Sequence, residues 1–557
     1  MTEGTPTDAA PTQGAPTDAA ATAVLAADGH FLMAFEGTSA PDEVLATLRA
    51  GVVPGVTLFR FANVDSPAQV AELTRQLEDA NGSDLPLLIG ADQETGQLMG
   101  LGDDTTAFPG AMALGATGDV DLARRVAIAI GHELRAMGVT MDYAPVCDVA
   151  TNPANPALGV RAFGDDAAQV AAMAAATAAG LAEAGVVATA KHFPGAGEAV
   201  VDPHHTLPPL DMDREHLDSV ELAPFAACVD AGAPAVMVGH YDVPAVTGRR
   251  GLPSSVSDAI VAGLLRTDMG FDGVVVTDAL DMKALPQGTG QVVDAVAALR
   301  AGVDLLLCAP SSDTRDRLRQ GLDLAIDRGV IDAATTTASQ ARIERLRQWL
   351  ATFPRPDMEV VGCDEHGELA LEVARRATTL VRDADAVLPL PHSGRLVAVM
   401  PQPVDLTPAD TSSTVAPGLA GALRQHHDDV VEIVVDREPT PAQLAEVVAV
   451  AGDADGVVLG TIWAGPAQAR LVDAVLATGT PTVTVALRTP FDLAAYPRAG
   501  THLCTYSLHP ASMHALADVL FGLRDAPGRL PAAIPGLYPT GHGLVPEPAH
   551  DCVRIEP

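Results

Sequence analysis

The stretch AGVVATAKHF, residues 184–193, has a form that recurs along the first part of the chain. Gly185 is followed by a short apolar run, and the run ends in two polar residues, Lys191 and His192. Glycine is typical of the position just after a helix, where the backbone takes the left-handed conformation. An unbroken apolar run is typical of a parallel strand buried on both faces. The stretch therefore predicts the end of a helix, a buried strand and polar groups at the carboxyl end of that strand.

Seven further runs of this kind make eight predicted strands, with helical patterns between them. In one of those helical patterns, SPAQVAELTRQLEDA (66–80), Ser66 and Gln69 are spaced as a capping box. Eight alternating units over this length predict a TIM (β/α)8 barrel. The predicted strands are HFLMAF (30–35), GVTLFR (55–60), LPLLIGAD (85–92), VTMDYAPV (139–146), VVATAKHF (186–193), PAVMVGH (234–240), GVVVTDA (273–279) and VDLLLCA (303–309).

After about residue 350 the pattern changes to about five apolar strands alternating with helices, which predicts a doubly wound α/β sandwich. It contains no GxGxxG motif or P-loop, so a nucleotide role is not supported. We expect the barrel over residues 26–350, a linker and helical connection over 351–385, and the sandwich over 386–557. The five predicted strands are 394–401, 429–436, 454–464, 480–488 and 501–507.

Composition restricts the partners and the location. Residues 1–25 repeat TPTDAA as APTDAA and offer little to bury, so we expect a disordered tail. A formal charge of −37 opposes binding to nucleic acid or to an anionic membrane. The six cysteines show no CxxC pair, which predicts buried thiols rather than disulfides or a metal site. Without a secretory signal or a long apolar run, we expect a cytoplasmic protein.

Polar residues stand at the ends of several predicted strands, which is where a TIM barrel carries its active site. Any one of them, taken alone, is as well explained as a capped strand end or a satisfied buried polar group. All of them together on one rim indicate a functional site. These residues are Asp92, Asp148, Lys191, His192, His240 and Asp278.

The loop KHFPGAGEAVVDPHH (191–205) offers a candidate proton donor. Asp202 and His204 are two residues apart, and Pro203 between them restricts the backbone, so both side chains could project on one side of the turn. A histidine oriented by a carboxylate can give a proton to a departing sugar oxygen. From spacing alone, a surface loop with incidental charges explains the pattern equally well, and His205 is a competing candidate.

Four motifs recur in one known family, and together they are very specific. They are ADQETGQL (91–98), YAPVCDVATNPANPALGVRAFGDD (143–166), KHFPGAGEAVVDPHH (191–205) and VVVTDALDM (274–282). With them, the chain resembles glycoside hydrolase family 3 from about residue 30 to residue 540. The similarity is greatest to the bacterial β-N-acetylglucosaminidase branch, whose acid/base lies in an Asp-x-His loop.

The resemblance implies a retaining mechanism, with Asp278 as nucleophile and His204, paired with Asp202, as acid/base. It implies a small-molecule glycoside substrate and no metal or organic cofactor. Terminal β-linked N-acetylglucosamine is the first candidate for the sugar, and a β-glucoside is the second. The residues that match the family's sugar contacts are Asp92, Arg161, Lys191 and His192.

The chain departs from the branch at three positions. Ala196 replaces the second histidine of the usual KHFPGHG, and Gln97 and Gly100 stand where arginines usually follow the DQE motif. These losses argue against a narrow specialist in peptidoglycan recycling.

Two other functions stay open. A histidine repels phosphate less than a glutamate does, so inorganic phosphate could replace water as the acceptor. The chain could also be an inactive sugar-binding barrel or scaffold, although Asp202, His204 and Asp278 argue against that. In family members with a glutamate acid/base, the glutamate comes from the second domain; here we expect no such role for Glu438 or Glu446.

Overall fold

The computed structural model describes residues 27–544. The predicted disordered tail, 1–25, lies outside the described residues, as do the last residues of the predicted sandwich.

A closed barrel forms the first part of the described chain. Strands β1 to β7 pair in sequence order and in parallel, and β8 pairs in parallel with β1. Between β7 and β8 the ring closes through the Val276–Leu305 bridge, supported by the amide of Asp304 donating to the Val275 carbonyl at 2.8 Å. The TIM-barrel prediction is confirmed. The strands are β1 (Phe31–Met33), β2 (Gly55–Thr57), β3 (Leu88–Ala91), β4 (Met141–Asp142), β5 (Val187–Phe193), β6 (Ala235–Val238), β7 (Val274–Thr277) and β8 (Leu306–Leu307).

Helices surround the barrel and present apolar faces to it. Ser66 caps its helix as predicted, accepting from the Gln69 amide, but the Gln69 side chain accepts from Asp65 rather than from Ser66. Only half of the predicted capping box is therefore formed. The main helices are Asp42–Arg49, Pro67–Asp79, Ala111–Thr117, Val120–Ala136, Ala167–Glu183, Ala223–Asp230, Thr289–Ala301, Ser312–Asp327 and Ala333–Leu350, with π-helical turns at Leu217–Glu221 and Ala259–Asp268.

The second domain is a sheet of six strands over the described residues, in the order β11-β10-β12-β13-β14-β9. Five are parallel and match the five predicted strands; β9 pairs antiparallel to β14. The prediction of about five strands missed β9, which lies in the segment 351–385 expected to be a linker and helical connection. The strands are β9 (Thr379–Asp383), β10 (Leu396–Pro401), β11 (Val430–Val435), β12 (Gly456–Thr461), β13 (Thr482–Ala486) and β14 (Thr501–Cys504).

Helices cover both faces of this sheet, which confirms the predicted α/β sandwich. Among the helices of residues 27–544, none has the length and apolar character needed to cross a membrane. The main helices are Asp364–Ala377, Leu419–Leu423, Pro441–Gly452, Pro466–Leu476 and Pro510–Leu520.

A buried carboxylate joins the barrel to two outer helical segments at the amino end of the strands. Asp304 is fully buried and forms ion pairs with Arg266 at 2.7 Å and Arg342 at 2.8 Å. Its carboxylate also accepts from the amide of Val275 in β7 at 2.8 Å. One side chain therefore fixes two strands and two helical segments.

Replacing Asp304 with Asn should lower the free energy of unfolding of the barrel by about 3–5 kcal/mol, because two mostly buried guanidinium groups lose their counter-charge. Urea unfolding followed by circular dichroism measures this. Asp272→Asn is the matched control, since Asp272 pairs with Arg345 at 2.9 Å on the surface and its side chain is 79% exposed. The control should cost less than about 1 kcal/mol. Equal losses in both variants would contradict the role assigned to Asp304.

Candidate active site

Polar side chains meet at the carboxyl end of the barrel, as the fold predicts. Asp92 directly follows β3, Lys191 and His192 lie near the end of β5, and Asp278 directly follows β7. His240, after β6, is fully buried, with Nδ1 2.7 Å from the Ser255 hydroxyl. The strand ends thus bring residues more than 180 positions apart in sequence to one rim.

Lys191 is almost completely buried, and its charge is neutralised by two carboxylates. Its Nζ lies 2.6 Å from Asp92 Oδ1 and 2.6 Å from Glu94 Oε1. A buried ammonium without such partners would be strongly disfavoured. The sequence patterns placed Asp92 and Lys191 at the same rim, but Glu94 was missed. The only available signal was the Asp-x-Glu spacing that places both carboxylates just beyond β3.

Glu94 is the centre of this network, because it also binds Arg161. The guanidinium donates to both carboxylate oxygens at 2.8 Å, the bidentate geometry that arginine favours. Burial alone would raise the pKa of Glu94. The charges and hydrogen bonds of Arg161 and Lys191 lower it by more, so the net pKa lies well below its usual range. Glu94 is therefore ionised, and it holds both cations in fixed positions at the bottom of the rim.

His192 is oriented by Asp148, which follows β4. Its Nδ1 donates to Asp148 Oδ2 at 2.7 Å, and its Nε2 lies 3.4 Å from the Arg161 guanidinium. The other Asp148 oxygen accepts from the amide of Ala196 at 2.8 Å. Asp148 thus fixes both the imidazole and the start of the loop that leads to His204.

Asp202 and His204 form a hydrogen-bonded pair within that loop. His204 Nδ1 lies 2.6 Å from Asp202 Oδ1, and the His204 amide donates to the same oxygen at 2.8 Å. Burial raises the pKa of Asp202, and the bonds and charge of His204 lower it by more, so Asp202 is ionised. His204 lines the cavity described below, whereas His205 is exposed and does not.

Asp278 faces the same cavity from the end of β7. One carboxylate oxygen accepts from the amide of Ala279 at 2.8 Å. Burial raises the pKa of Asp278, but His192, His240 and His204 together lower it below its usual value. The side chain is therefore a carboxylate near neutral pH, as attack on carbon requires.

A cavity of about 650 Å³ opens above these residues, and both domains line it. The second domain contributes a segment within 405–414. The Gln97 side chain donates to the Ala409 carbonyl at 3.1 Å, and the amide of Thr411 donates to the Gln97 carbonyl at 3.0 Å. A buried ion pair of Asp410 with Arg488 at 2.7 Å fixes the segment from behind.

The three departures noted in the sequence lie at this cavity or beside it. Gln97 binds the second domain, and a Cβ at Gly100 would lie 2.2 Å from the Asp92 carbonyl oxygen, so the backbone here leaves no room for a side chain. Arg60 reaches the same region, donating to the Met99 carbonyl at 2.7 Å. Ala196 lines the cavity without filling it.

Comparison with known proteins agrees with this architecture. The model of the glycosyl hydrolase family 3 N-terminal domain matches residues 31–346, more than half of the chain, and that of the C-terminal domain matches residues 378–538. The chain belongs to glycosyl hydrolase family 3. As a family 3 member it is a glycosidase that acts on O-glycosyl bonds.

Several family 3 proteins are similar to this chain over most of their length. A structure titled as a family 3 β-N-acetylglucosaminidase from Paenibacillus sp. str. FPU-7 has a TM-score of 0.85 and 35% identity, covering 91% of this chain and 98% of its own. The β-N-acetylglucosaminidase/β-glucosidase of Cellulomonas fimi is 30% identical, covering 89% and 91%. The β-hexosaminidase A of Pseudoalteromonas piscicida is 28% identical, covering 89% and 92%.

Replacing Glu438 or Glu446 with Gln should change kcat/KM by less than about twofold. Neither residue lines the cavity, and both are exposed, where substitutions usually have small effects. Initial rates on a chromogenic β-glycoside measure this. His204→Ala, measured in parallel, sets the scale of a true acid/base loss. A comparable loss in either glutamate variant would place the acid/base in the second domain.

Proposed function

We propose that this family 3 enzyme is a retaining, exo-acting β-N-acetylglucosaminidase that hydrolyses terminal β-linked N-acetylglucosamine from small-molecule glycosides. The observation that carries the proposal is that Asp278 and His204 line one cavity, with His204 bonded to Asp202 behind it. The names of the similar proteins support the choice of sugar.

In the first step, Asp278 attacks the anomeric carbon and the glycosidic C–O bond breaks. His204 gives the proton on Nε2 to the departing oxygen, since Nδ1 is occupied by Asp202. The carboxylate forms an ester with the sugar, and the leaving group departs as an alcohol.

In the second step, the same two residues reverse their roles. The imidazole of His204, now neutral at Nε2, takes a proton from water, and the resulting oxygen attacks the anomeric carbon. The ester bond to Asp278 breaks, and two inversions leave the β configuration of the product unchanged. These steps use only side chains of this chain.

The paired charges beside Asp278 would bind the hydroxyl groups of the sugar. Lys191 binds one oxygen of Asp92, and Asp92 itself lines the cavity. Arg161 and His192 line the cavity next to it. Because Glu94 and Asp148 already fix these groups, little ordering remains to be done when the sugar binds.

The charges in the cavity favour water over phosphate as the acceptor. Six carboxylates line it: Asp92, Asp148, Asp278, Asp281, Asp405 and Asp410. The lysine and arginine side chains that line it among residues 27–544, Lys191, Arg161 and Arg60, are each paired with a carboxylate. A phosphate dianion would therefore meet net repulsion.

A β-glucoside is the second candidate for the sugar, because the Cellulomonas fimi relative is named a β-N-acetylglucosaminidase/β-glucosidase. The predicted cytoplasmic location stays a prediction.

Identification of the product tests the proposal. The purified protein is incubated with chromogenic β-N-acetylglucosaminide and β-glucoside, with and without millimolar phosphate, and the released sugar is identified by mass. We expect free N-acetylglucosamine at a rate that phosphate does not change. A sugar 1-phosphate would indicate a phosphorylase. Release of sugar from neither substrate, with sugar binding retained, would indicate an inactive barrel.

Asp278→Asn should abolish turnover while leaving N-acetylglucosamine binding within about threefold by calorimetry, because only the nucleophile is lost.

His204→Ala should lower kcat/KM by about 10²–10⁴-fold on an alkyl glycoside, the range expected for loss of a general acid. The loss should be smaller with a dinitrophenyl leaving group, which needs no proton. His205→Ala is the control, since its neighbouring, exposed imidazole should change the rate by less than about twofold. An equal loss in the two variants would contradict the assignment of His204.

A further inference from the structure

A buried glutamate that the proposed reaction does not use lies beneath the loop after β5. Glu221 ends the π-helical turn Leu217–Glu221 and is completely inaccessible to solvent. The loop packs directly on it: a Cβ at Gly195 would lie 2.5 Å from Glu221 Oε2, and one at Gly197 would lie 3.0 Å from Oε1. Only residues without side chains permit this close approach.

Two consecutive amides of the loop bind two different carboxyl groups. The Ala196 amide donates to Asp148 at 2.8 Å, and the Gly197 amide donates to Glu221 Oε2 at 3.4 Å. The loop is thus held between Asp148, which orients His192, and Glu221, which has no role in the proposed reaction. Asp202 and His204 follow five and seven residues after Gly197.

The other oxygen of Glu221 has no hydrogen-bond partner within residues 27–544, and neither does Nε2 of His216. These two buried atoms face each other at 3.7 Å. Beside a neutral imidazole, a carboxylate at Glu221 would be an uncompensated buried charge, whereas a carboxylic acid O–H could point to the imidazole nitrogen. The geometry therefore suits the neutral acid.

We propose that Glu221 is a positioning residue whose neutral carboxyl group supports the loop after β5 and so holds Asp148 and the Asp202–His204 pair in place. The proposal rests on the proposed function for its effect on turnover, but its effect on stability does not depend on that function.

The groups that face Glu221 predict how this support depends on pH. They are Asp148 after β4, Glu198 in the loop itself and His216 on the preceding turn. Burial, and after it the charges of Asp148 and Glu198, raise the pKa of Glu221 to about 8, although the bond from the Gly197 amide opposes this shift. Because this pKa exceeds the unfolded value, the stabilisation is complete below about pH 4.5 and is lost as pH rises toward and through about 8.

Ionisation would place a second negative charge beside Asp148, inside the structure. The repulsion would weaken the support of Ala196 and Gly197, and through them the position of His204. Turnover should then fall by about tenfold between pH 7 and pH 9 for a group that titrates near 8.

The test is the pH profile of kcat/KM for Glu221→Gln, on a dinitrophenyl β-N-acetylglucosaminide. This substrate needs no proton from His204 in the first step, so loss of that proton does not mask Glu221. Glutamine keeps the acceptor for Gly197 and supplies an N–H toward His216 but cannot ionise. We expect activity within about threefold of the wild type at pH 7 and no fall between pH 7 and pH 9. Glu221→Ala should lose at least tenfold at pH 7.

Glu198→Gln is the matched control: it removes a neighbouring charge but leaves Glu221 able to ionise, so an alkaline fall should remain, displaced to somewhat lower pH. The pH dependence of the melting temperature is measured on the same variants, so an inactive wild type would refute the proposed function and still leave Glu221 testable. Retention in Glu221→Gln of the wild-type fall in rate between pH 7 and pH 9 would overturn the proposal, and so would retention of the wild-type fall in melting temperature between about pH 4.5 and pH 8. Full activity of Glu221→Ala at pH 7 would also overturn it. If Glu221→Ala does not fold, the profile of Glu221→Gln decides.

Discussion

The site depends on the ionised carboxylate of Glu94, which sits between two buried cations. Without it, the buried guanidinium of Arg161 would lose its paired carboxylate and Lys191 would keep only Asp92, at a cost of several kcal/mol. With it, both cations are fixed before any ligand arrives. The arrangement of Asp92, His192 and the wall of the cavity follows from those fixed positions.

Much of the fold follows from patterns that are local in sequence. A glycine, an apolar run and a polar strand end indicate one βα unit, and repetition of the unit indicates the barrel. β9 escaped prediction because its buried part is only Thr379–Val381, placed directly after a helix and before charged residues. Local pattern does not distinguish such a strand from a helix end, and only its pairing with β14 defines it.

The site divides in the same way. The strand-end positions follow from the barrel topology, while the family resemblance supplied the expected roles of Asp278 and His204. Glu94, by contrast, is defined by its partners, which lie 67 residues away at Arg161 and still further away at Lys191. The contribution of residues 405–414 depends on how the two domains pack, and no motif encodes it. Sequence spacing can therefore predict which residues lie at the strand ends, whereas burial and long-range pairing determine which of these residues contact one another.

One wall of the cavity belongs to the second domain, so the groups proposed to react with the sugar and part of the cavity wall lie in separate parts of the chain. Asp278, His204, Lys191 and Arg161 all lie on the barrel, and the segment 405–414 lines the same cavity. Changes in the length or sequence of this segment can therefore reshape one wall of the cavity while the side chains on the barrel keep their own hydrogen bonds.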